Sequence, residues 1–502
     1  MVLPVTPTKR ILLLEPPFLR LFKGTYSLDR FPLSLGYLAG AIKTKTDWDV
    51  KAFNADFSPD RERIQVRFLT GAGFQNYRKN LGDPSSAIWQ EIKSVILKHE
   101  PAVIGISAKS QNYKAACVVA RLVKEINKDI LVVLGGPHPS LVGADVLRSP
   151  DIDISVRGEG EKTVADLLEA IDGKKGLEAI PGIYYKKGGQ IFENPFREYM
   201  EDLDSLSFPH QFVREVLIDF EKYPLSAFKN IFATRGCPFN CFYCGSRNIW
   251  GRRVRFRSPE NVVEEIKGLR RMGLRTIHFD DDTFGINKEY TRNLLHAMRS
   301  DLRGLKWSCE VHVQLIDEET VDLMKAAGCY LIQVGVESGN DRILETVRKN
   351  ITIAEALEAC AIIKERNIEV QTFFIVGFPQ ETEETLRDTF AAMRKIKSDS
   401  LIYNIFTPYP GTEAFEYCRE KGLIDKEFDV SLYNHQSPNN CFCLHMDLAD
   451  FRRQVLAIEK YIDRKNISNR IKRFFSWNLL WRITEKGIKG SIQEGLKVLN
   501  GK

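Results

Sequence analysis

The sequence has no apolar run of the roughly 18 residues that a membrane-spanning helix needs. Its first segment, MVLPVTPTKRILLLEPP, contains only a four-residue apolar run before Glu15 and is interrupted by prolines. Such a run is too short for the apolar region of a secretion signal. These absences predict a cytoplasmic protein, in which cysteines serve as core residues or metal ligands rather than forming disulfides.

Cysteine is also scarce in the first half of the chain, and no large excess of one charge is present. Of the ten cysteines, only Cys117 lies within the first 230 residues. The net charge of +6 comes from the end of the chain, because residues 452–502 hold thirteen Lys or Arg against four Asp or Glu. The rest of the chain is slightly acidic, which argues against a nucleic-acid-binding protein.

The length of 502 residues exceeds what one hydrophobic core usually organises and predicts two or three domains. In residues 1–180 helical patterns separate short apolar runs, which are RILLLE at 10–15, VIGIS at 103–107, ILVVLGG at 130–136 and DISV at 153–156. This alternation indicates a parallel sheet. We therefore predict an α/β, doubly wound, Rossmann-like domain whose ligand lies beyond the carboxyl ends of the strands. Residues 181–228 are predicted to form a glycine-turned hairpin and a linker.

A second alternation of strands and helices occupies residues 229–425. Its six predicted strands are 230–236, 275–281, 306–311, 330–338, 368–378 and 400–406. Ser258 and Pro259 at the start of one intervening helix, with Gly273 at its end, support the pattern. Six strands predict a partial (β/α)6 barrel of the TIM type, in which the chemistry gathers at the carboxyl ends of the strands. Residues 426–502 are predicted to be a basic, mostly helical C-terminal tail.

Three cysteines follow the first strand of this predicted barrel. Residues 235–244 read RGCPFNCFYC, so that Cys237, Cys241 and Cys244 share one loop with a Cys-x3-Cys-x2-Cys spacing. Three thiolates can hold three irons of a four-iron four-sulfur cluster and leave the fourth iron open to another ligand. The alternative is a structural zinc site, but the sequence offers no fourth ligand of suitable spacing nearby. The spacing therefore predicts that these cysteines are the catalytic, metal-binding residues.

This cysteine spacing, with the aromatic Tyr243 before the third cysteine, resembles the radical S-adenosylmethionine (SAM) superfamily, and the resemblance covers about residues 225–425. It implies that residues at successive strand ends bind SAM, namely Tyr243, Asp280, Asp281, Asp282, Glu337, Ser338, Gly377 and Glu381. The aspartates would receive the methionyl amino group, Glu337 and Ser338 the ribose, and the turn at 377–381 the adenine. The alternative for each is structural, since an acidic turn also caps a helix and a glycine turn also ends a strand.

The first domain resembles the cobalamin-binding domain of a radical SAM subfamily. The resemblance rests on FPLSLGYLAG at 31–40, Ser107 at the end of VIGIS, the GGPH segment and RGEGE at 157–161. It implies that seven residues contact cobalamin, namely Ser107, Gly135, Gly136, Pro137, His138, Gly158 and Glu159. No Asp-x-His-x2-Gly motif is present, so that a lower histidine ligand to cobalt is not expected and His138 would be a pocket residue. The alternative is a scaffold that has lost its cobalamin. Methylthiotransferases are excluded, because they carry three cysteines in this domain.

Together these resemblances imply an enzyme that cleaves SAM to a 5′-deoxyadenosyl radical and uses cobalamin to methylate an unactivated carbon. One alternative is a radical cyclase, oxidase or rearrangement enzyme whose cobalamin domain is non-methylating or vestigial. A second is a non-catalytic metal-binding protein. The expected partners are a small-molecule substrate and an external electron donor such as flavodoxin or ferredoxin, and not nucleic acid.

The tail segment RIKRFFSWNLLWRI at 470–483 mixes basic and apolar residues. It has three interpretations: a helical cap with a solvated basic face, a lid over the substrate, or an amphipathic helix at a membrane interface. The last would suit a lipid-like or anionic substrate. Cys441 and Cys443, with His445, are a further metal-ligand candidate of unspecific spacing.

Overall fold

The computed structural model describes residues 8–28, 30–425 and 429–474. These residues form two compact units. The first contains the described residues up to Asp282 together with His296–Leu305 and Thr407–Asn439. The second contains Thr283–Leu295, Lys306–Phe406 and the described residues from Asn440 onward.

The first unit is built on a seven-stranded sheet. Its strands are β1 (Arg10–Glu15), β2 (Asp49–Asn54), β3 (Val103–Ser107), β4 (Leu131–Gly135), β5 (Ile154–Val156), β6 (Ile183–Lys187) and β7 (Gln190–Glu193). They are ordered β2-β1-β3-β4-β5-β6-β7. The first five strands are parallel, and β6 and β7 are added antiparallel at one edge. The chain passes from β1 to β2 on one side and then to β3 on the other, so that the switch point, where ligands bind in such sheets, lies between β1 and β3.

The helices of this part of the chain connect its parallel strands. They are Leu19–Phe22, Leu33–Lys45, Val66–Leu69, Ala72–Gly82, Ala87–His99, Tyr113–Ile126, Pro137–Val142 and Glu161–Ile171, followed by Val213–Val216. The five parallel strands are largely buried, as the fully buried Leu12, Leu14 and Ile104 show. Burial on both faces explains why these strands read as continuous apolar runs.

The first unit also contains the segment that carries the cysteines. The strands of this segment are β8 (Asn230–Ile231), β9 (Thr234–Arg235), β10 (Arg255–Phe256) and β11 (Thr276–Phe279), and its helices are Ser246–Trp250 and Pro259–Arg271. The helix Glu413–Glu420, from a later part of the chain, belongs to the same unit. β8 is parallel to β11, whereas β9 is antiparallel to β10 with Arg235 opposite Arg255. The side chain of Ser258 accepts a hydrogen bond from the Asn261 amide at 3.2 Å, which confirms the predicted N-cap.

The second unit contains four parallel strands in the order β15-β14-β13-β12. They are β12 (Lys306–Val311), β13 (Cys329–Glu337), β14 (Glu369–Val376) and β15 (Ser400–Ile405). The helices that follow β11 are Lys288–Asp301, Glu318–Ala326, Asp341–Thr346, Ile353–Glu365, Glu383–Lys395 and, after the strands, Leu448–Phe474. Each strand feeds a helix, as the predicted (β/α) alternation requires.

The predicted α/β fold class is confirmed, with a doubly wound domain followed by the six strands expected after residue 228. The sequence reading missed β2, because Asp49 and Lys51 break its apolar run and only alternate positions at its start are buried. The single strand expected over 230–236 is divided, since Phe232 and Ala233 separate β8 from β9. The hairpin at 183–193 forms as expected but belongs to the first sheet. The domain boundaries at 180, 228 and 425 stay predictions.

Candidate functional site

The cysteine loop, residues 236–245, lies between β9 and the helix Ser246–Trp250. It begins at Gly236, whose φ is +105° and where a Cβ atom would lie 2.6 Å from the carbonyl oxygen of Arg253. Only glycine permits this exit from the strand. Cys237 and Cys241 are half-buried and Cys244 is exposed. All three sulfur atoms therefore belong to one short loop, and the conformation of Gly236 fixes where this loop leaves the strand.

Local hydrogen bonds hold the end of this loop. The Cys244 amide donates to the Cys241 carbonyl at 3.2 Å, and the Ser246 amide donates to Cys244 Sγ at 3.5 Å. Desolvation, followed by the proximity of Cys241, Asp282 and Cys237, raises the pKa of the Cys244 thiol to about 12. The thiolate is the form of cysteine that binds metal, and a bound metal favours that form. An all-sulfur donor set of this kind suits an iron–sulfur cluster.

No three His, Cys, Asp or Glu side chains of the described residues are arranged to hold one metal ion. This statement includes the surroundings of Cys441 and Cys443. The Cys443 side chain instead hydrogen-bonds Cys441, which lowers the pKa of the Cys441 thiol to about 7.

The acidic turn that follows β11 contains a carboxylate that braces the base of the cysteine segment. Asp281 is 1% exposed. It accepts hydrogen bonds from the Ala233 and Thr234 amides at 2.8 and 3.2 Å and from the Thr234 hydroxyl at 3.0 Å. Burial raises the pKa of Asp281 to about 7. The carboxylate of Asp281 therefore holds the backbone of residues 233 and 234.

The other two aspartates of this turn point to different neighbours. Asp282 is exposed and accepts a hydrogen bond from the Ser246 hydroxyl at 2.6 Å, which ties it to the end of the cysteine loop. Asp280 is half-buried and pairs with the Arg30 guanidinium. Burial raises the pKa of Asp280 as well. Two of the three predicted SAM carboxylates thus lie beside the cysteine loop or an adjacent cavity.

Four buried charged side chains form an ionic bridge, defined here as Glu159, Glu161, Arg235 and Arg255. Arg235 donates to Glu159 at 2.8 Å and to Glu161 at 2.5 Å. Arg255 donates to both oxygens of Glu159 at 2.9 Å. The Met200 amide donates to Glu159 Oε2 at 2.7 Å. The two charges of each sign balance, as buried ion pairs require.

A cavity of about 300 Å³ opens at the switch point of the seven-stranded sheet. Its walls combine residues of the predicted cobalamin site with residues that flank the cysteine loop. The former are Ser107, Gly135, Gly136, Pro137, Gly158 and Glu159, and the latter include Arg235, Trp250 and Asp280. Apolar side chains of β1, β3 and β4 line its interior. Six of the seven residues predicted to contact cobalamin therefore share one cavity.

One feature of the walls fits a bound ligand, and another belongs to the packing of the wall itself. The packing feature is Gly136, whose φ is +99° and where a Cβ atom would lie 3.0 Å from the amide nitrogen and the carbonyl oxygen of Ala108, so that only glycine fits. Glu15, 6% exposed at the end of β1, pairs through Oε1 with Lys109 Nζ at 2.9 Å. Its buried Oε2 has no hydrogen-bond partner among the described residues. A buried acceptor in a cavity wall needs a donor, and the amide side chains of a corrin would supply one.

The exception is His138, which is buried and does not line the cavity. Its Nδ1 lies 3.0 Å from the Ser110 hydroxyl, and its ring centroid lies 4.1 Å from that of Tyr113. Burial lowers the pKa of His138 to about 4, so that the ring is neutral. These contacts place His138 in the packing around the GGPH turn.

In the second unit, Glu337 and Ser338 follow β13. Glu337 has a φ of +68° and its Oε1 accepts a hydrogen bond from Lys349 Nζ at 3.0 Å. The Ser338 hydroxyl is fully buried and lies 3.2 Å from the Thr389 hydroxyl. Each side chain thus has a structural partner. A backbone conformation that is rare outside glycine marks Glu337 as a candidate for function.

Gly377 and Glu381 form a braced turn after β14. Gly377 has a φ of +92°, and a Cβ atom there would lie 2.8 Å from the ring of Phe451. Glu381 Oε2 accepts hydrogen bonds from the Gly377 and Phe378 amides at 2.5 and 3.2 Å. Burial raises the pKa of Glu381 to about 7. Its Oε1 is buried without a partner among the described residues.

Among the described residues, no helix combines the length and the apolar character that crossing a membrane requires. The tail segment 470–483 lies outside the described residues from position 475 onward. Its three interpretations therefore stay predictions.

Comparison with known proteins identifies the family. Residues 231–393 match the profile of the radical SAM superfamily, and residues 20–168 match the B12 binding domain. The chain is 31% identical over 419 residues to the protein of Pyrococcus horikoshii named uncharacterized methyltransferase PH0819, with 83% of this chain and 84% of that protein covered. The chain belongs to the radical SAM superfamily and carries a B12 binding domain before its radical SAM domain.

Two further proteins are similar to the chain, one in sequence and one in fold. It is 30% identical over 364 residues to the anaerobic magnesium-protoporphyrin IX monomethyl ester cyclase of Rubrivivax gelatinosus, with 69% of this chain and 63% of the cyclase covered. The structure of the radical SAM methyltransferase TsrM from Kitasatospora setae, with cobalamin and a 4Fe–4S cluster bound, is similar with a TM-score of 0.64. That match covers 89% of this chain and 81% of TsrM at 18% identity, and it shows a shared fold.

The sequence reading passed over residues that the structure brings to the site. Arg235 and Glu161 stand inside the quoted motifs RGCPFNCFYC and RGEGE, yet neither was assigned a role. Their opposite charges could have indicated a pairing. Arg235 stands beside a glycine at the end of one strand, and Glu159 and Glu161 stand beside glycines at the end of another. Glu15 had a signal too, since a carboxylate that ends the apolar run RILLLE must be buried or partnered.

Proposed function

We propose that this protein is a radical SAM enzyme that uses cobalamin to methylate an unactivated carbon of a small molecule. The observation that carries the proposal is the shared cavity of the first unit. Ser107 and Gly136 of the B12 binding domain line it together with Arg235 and Asp280, which flank the cysteine loop and begin the acidic turn. Transfer of a methyl group to a substrate radical requires both cofactors to face one substrate, and this arrangement supports that requirement.

We assign Cys237, Cys241 and Cys244 as ligands of three irons of a 4Fe–4S cluster. When bound, the cluster supplies the electron that cleaves SAM to a 5′-deoxyadenosyl radical, and the cobalamin supplies the methyl group. The loop that starts at Gly236 holds the three thiolates in one place. Tyr243, half-buried between the second and third cysteine, is assigned to the SAM side of the loop.

The three aspartates of the acidic turn have different roles. Both oxygens of Asp281 accept hydrogen bonds from Ala233 or Thr234, and we assign Asp281 to positioning the turn. Asp282 is exposed, adjoins the cysteine loop through Ser246 and contributes to the raised pKa of Cys244. We therefore assign Asp282 to the methionyl ammonium group, with Asp280 facing the cavity. Glu337 and Ser338 are assigned to the ribose and the turn at 377–381 to the adenine.

In the B12 binding domain, Gly135, Gly136 and Gly158 line the cavity and would face a corrin bound there. Glu15 Oε2 would accept a hydrogen bond from one of its amide groups. The apolar interior of the cavity excludes water, which protects a carbon radical from side reactions.

The test is anaerobic reconstitution of the full chain with iron, sulfide and hydroxocobalamin. We expect about four irons and one cobalt per chain, formation of 5′-deoxyadenosine after reduction, and transfer of a deuterated methyl group from SAM to cobalamin. The last readout requires no knowledge of the substrate. Bound zinc, or a cluster that does not cleave SAM, would overturn the proposal.

A second candidate is a radical cyclase, favoured by the 30% identity to the anaerobic magnesium-protoporphyrin cyclase. It predicts 5′-deoxyadenosine without methylation of cobalamin. The deuterated methyl group therefore separates the two candidates in one experiment.

The partners are a small-molecule substrate and a one-electron donor, for which we propose flavodoxin or ferredoxin. We also propose a cytoplasmic location. If the basic tail meets a membrane, the full chain should float with vesicles of anionic lipid in a density gradient, and vesicles of neutral lipid provide the control.

A further inference from the structure

The RGEGE loop of the B12 binding domain lies against the base of the cysteine loop. We infer that Glu159 is a positioning residue that transmits the filling of the cavity to the cysteine loop, and not a direct contact of cobalamin. This inference rests on the proposed function, because it takes cobalamin as the molecule that fills the cavity.

The hydrogen bonds of Glu159 leave it no capacity for a ligand. A carboxylate has about four acceptor positions, and the structure fills them from three donor groups. Arg235 and Arg255 donate to Oε1, while Arg255 and the Met200 amide donate to Oε2. The residue is 8% exposed. A cobalamin amide would have to displace one of these charged partners, and such charge-assisted hydrogen bonds are the stronger ones.

The two arginines of the ionic bridge flank the segment that contains the three cysteines. Arg235 immediately precedes Gly236, and Arg255 lies opposite it on β10, so that residues 236–254 leave and return at this one point. The Arg235 guanidinium is also stacked between the rings of Tyr37 and Trp250, whose centroids lie 5.0 and 5.1 Å away. A displacement of Glu159 therefore acts on both ends of the segment that carries the sulfur atoms.

The same loop forms a wall of the cavity. Gly158, Glu159, Gly160 and Glu161 line it, as does Trp250. The loop cannot withdraw freely, because a Cβ atom at Gly160 would already lie 2.9 Å from Leu38 Cδ2. A molecule that fills the cavity must contact this wall and restrain the loop. The hydrogen bonds of Glu159 and Glu161 then extend this restraint to Arg235 and Arg255.

The test compares the full chain with a Glu159→Gln variant, both reconstituted anaerobically with iron and sulfide. The rate of iron release to a chelator is measured with and without hydroxocobalamin, and bound cobalamin is measured separately by its visible absorption. Glu169→Gln is the matched control, because Glu169 lies on the helix that Glu161 begins and pairs only with Lys175 in a half-exposed position. The electron paramagnetic resonance spectrum of the reduced cluster provides a second readout.

We expect cobalamin to slow iron release about tenfold in the natural chain and in the control, and less than about twofold in Glu159→Gln, which corresponds to a typical coupling between two sites. Glu159→Gln should still bind cobalamin. Full protection in Glu159→Gln would overturn the inference. So would loss of cobalamin binding in a folded Glu159→Gln protein, since Glu159 would then be a direct contact.

If Glu159→Gln fails to fold, Arg255→Gln replaces it, because Arg255 Nη1 contacts both oxygens of Glu159 at 2.9 Å and glutamine removes this charged donor. The same loss of protection is expected, and retained protection would overturn the inference. A natural chain that binds cobalamin without slowing iron release would overturn the inference alone. A natural chain that binds no cobalamin would overturn the proposed use of cobalamin and the inference with it.

Discussion

The turn after β11 and the turn after β14 solve the same local problem differently. In each turn a buried carboxylate, Asp281 or Glu381, accepts hydrogen bonds from the backbone amides of two consecutive residues. Burial raises the pKa of each carboxyl group to about 7. Asp281 also accepts the Thr234 hydroxyl, and its neighbour Asp282 accepts the Ser246 hydroxyl. Glu381 has only the two amides among its described donors, and its Oε1 has none.

The difference teaches how one motif position can be structural in one place and leave a vacancy for a ligand in another. Both oxygens of Asp281 accept hydrogen bonds from residues 233 and 234, which leaves Asp280 and Asp282 as the more accessible carboxylates of this turn. Glu381 keeps one buried oxygen that a ligand or a proton must satisfy. The first turn therefore holds the backbone of the cysteine segment, and the second leaves Oε1 of Glu381 buried without a partner among the described residues.

The largest expected effect tests the cysteine loop that the first turn clamps. Cys237→Ala should abolish the 4Fe–4S cluster and lower SAM cleavage by about 100-fold or more, since even outer-shell changes at metal sites cost up to that much. Iron content and 5′-deoxyadenosine formation measure it. Cys117→Ala is the control and should leave both unchanged. An active Cys237→Ala protein would remove the reason for assigning the loop to a cluster.

The next effect compares the two buried carboxylates directly. Asp281→Ala leaves two amides and a hydroxyl without acceptors and should destabilise the protein by about 3 kcal/mol, whereas Glu381→Ala leaves two amides and should cost about 2 kcal/mol. Urea denaturation followed by fluorescence and circular dichroism measures both. A larger cost for Glu381→Ala would reverse the proposed ranking of the two turns.

A smaller effect sharpens the description of the second turn. Gly377→Ala should destabilise the protein by about 2 kcal/mol, because the positive φ costs about 1 kcal/mol and the new Cβ atom meets the Phe451 ring. Gly285→Ala is a matched control, since Gly285 has the same φ of +92° but no atom within 4 Å of a Cβ position. The difference between the two variants isolates the ring contact, and equal costs would show that Phe451 yields freely.

A separate effect is a pH dependence shared by both turns. The folded-state pKa values of Asp281 and Glu381, each raised to about 7, lie above those of the unfolded chain. Their contribution to stability is therefore complete below about pH 4 and is lost as the pH rises through 7. Asp281→Asn and Glu381→Gln should each flatten the slope of the unfolding midpoint between these pH values. An unchanged slope in both variants would show that other groups set it.

The sequence predicted the elements of the fold well, because buried parallel strands and capped helices leave strong local patterns. It also predicted which residues share a cavity, since the carboxyl ends of neighbouring strands must meet. It did not distinguish the individual roles of Asp280, Asp281 and Asp282. Their roles depend on whether Thr234, Ser246 or Arg30 lies opposite, and such pairings between distant segments leave no periodic signal.

Glu159 shows the same limit from the other side. A glutamate between two glycines resembles a ligand contact in the sequence. The two arginines that neutralise it follow 76 and 96 residues later. His138 was likewise expected in the pocket, but its turn directs it to Ser110 and Tyr113. Long-range charge pairing and side-chain direction were the missing information.

The ionic bridge also limits how this protein can be divided. A fragment ending at residue 228 would keep all seven strands of the first sheet, yet it would lack both arginines that pair with Glu159 and Glu161. These charge-assisted hydrogen bonds would be lost, so that the separated B12 binding domain should be less stable than the same domain in the full chain. Natural recombination between related enzymes would then have to exchange the acidic pair and the basic pair together, as one inherited set of four charges.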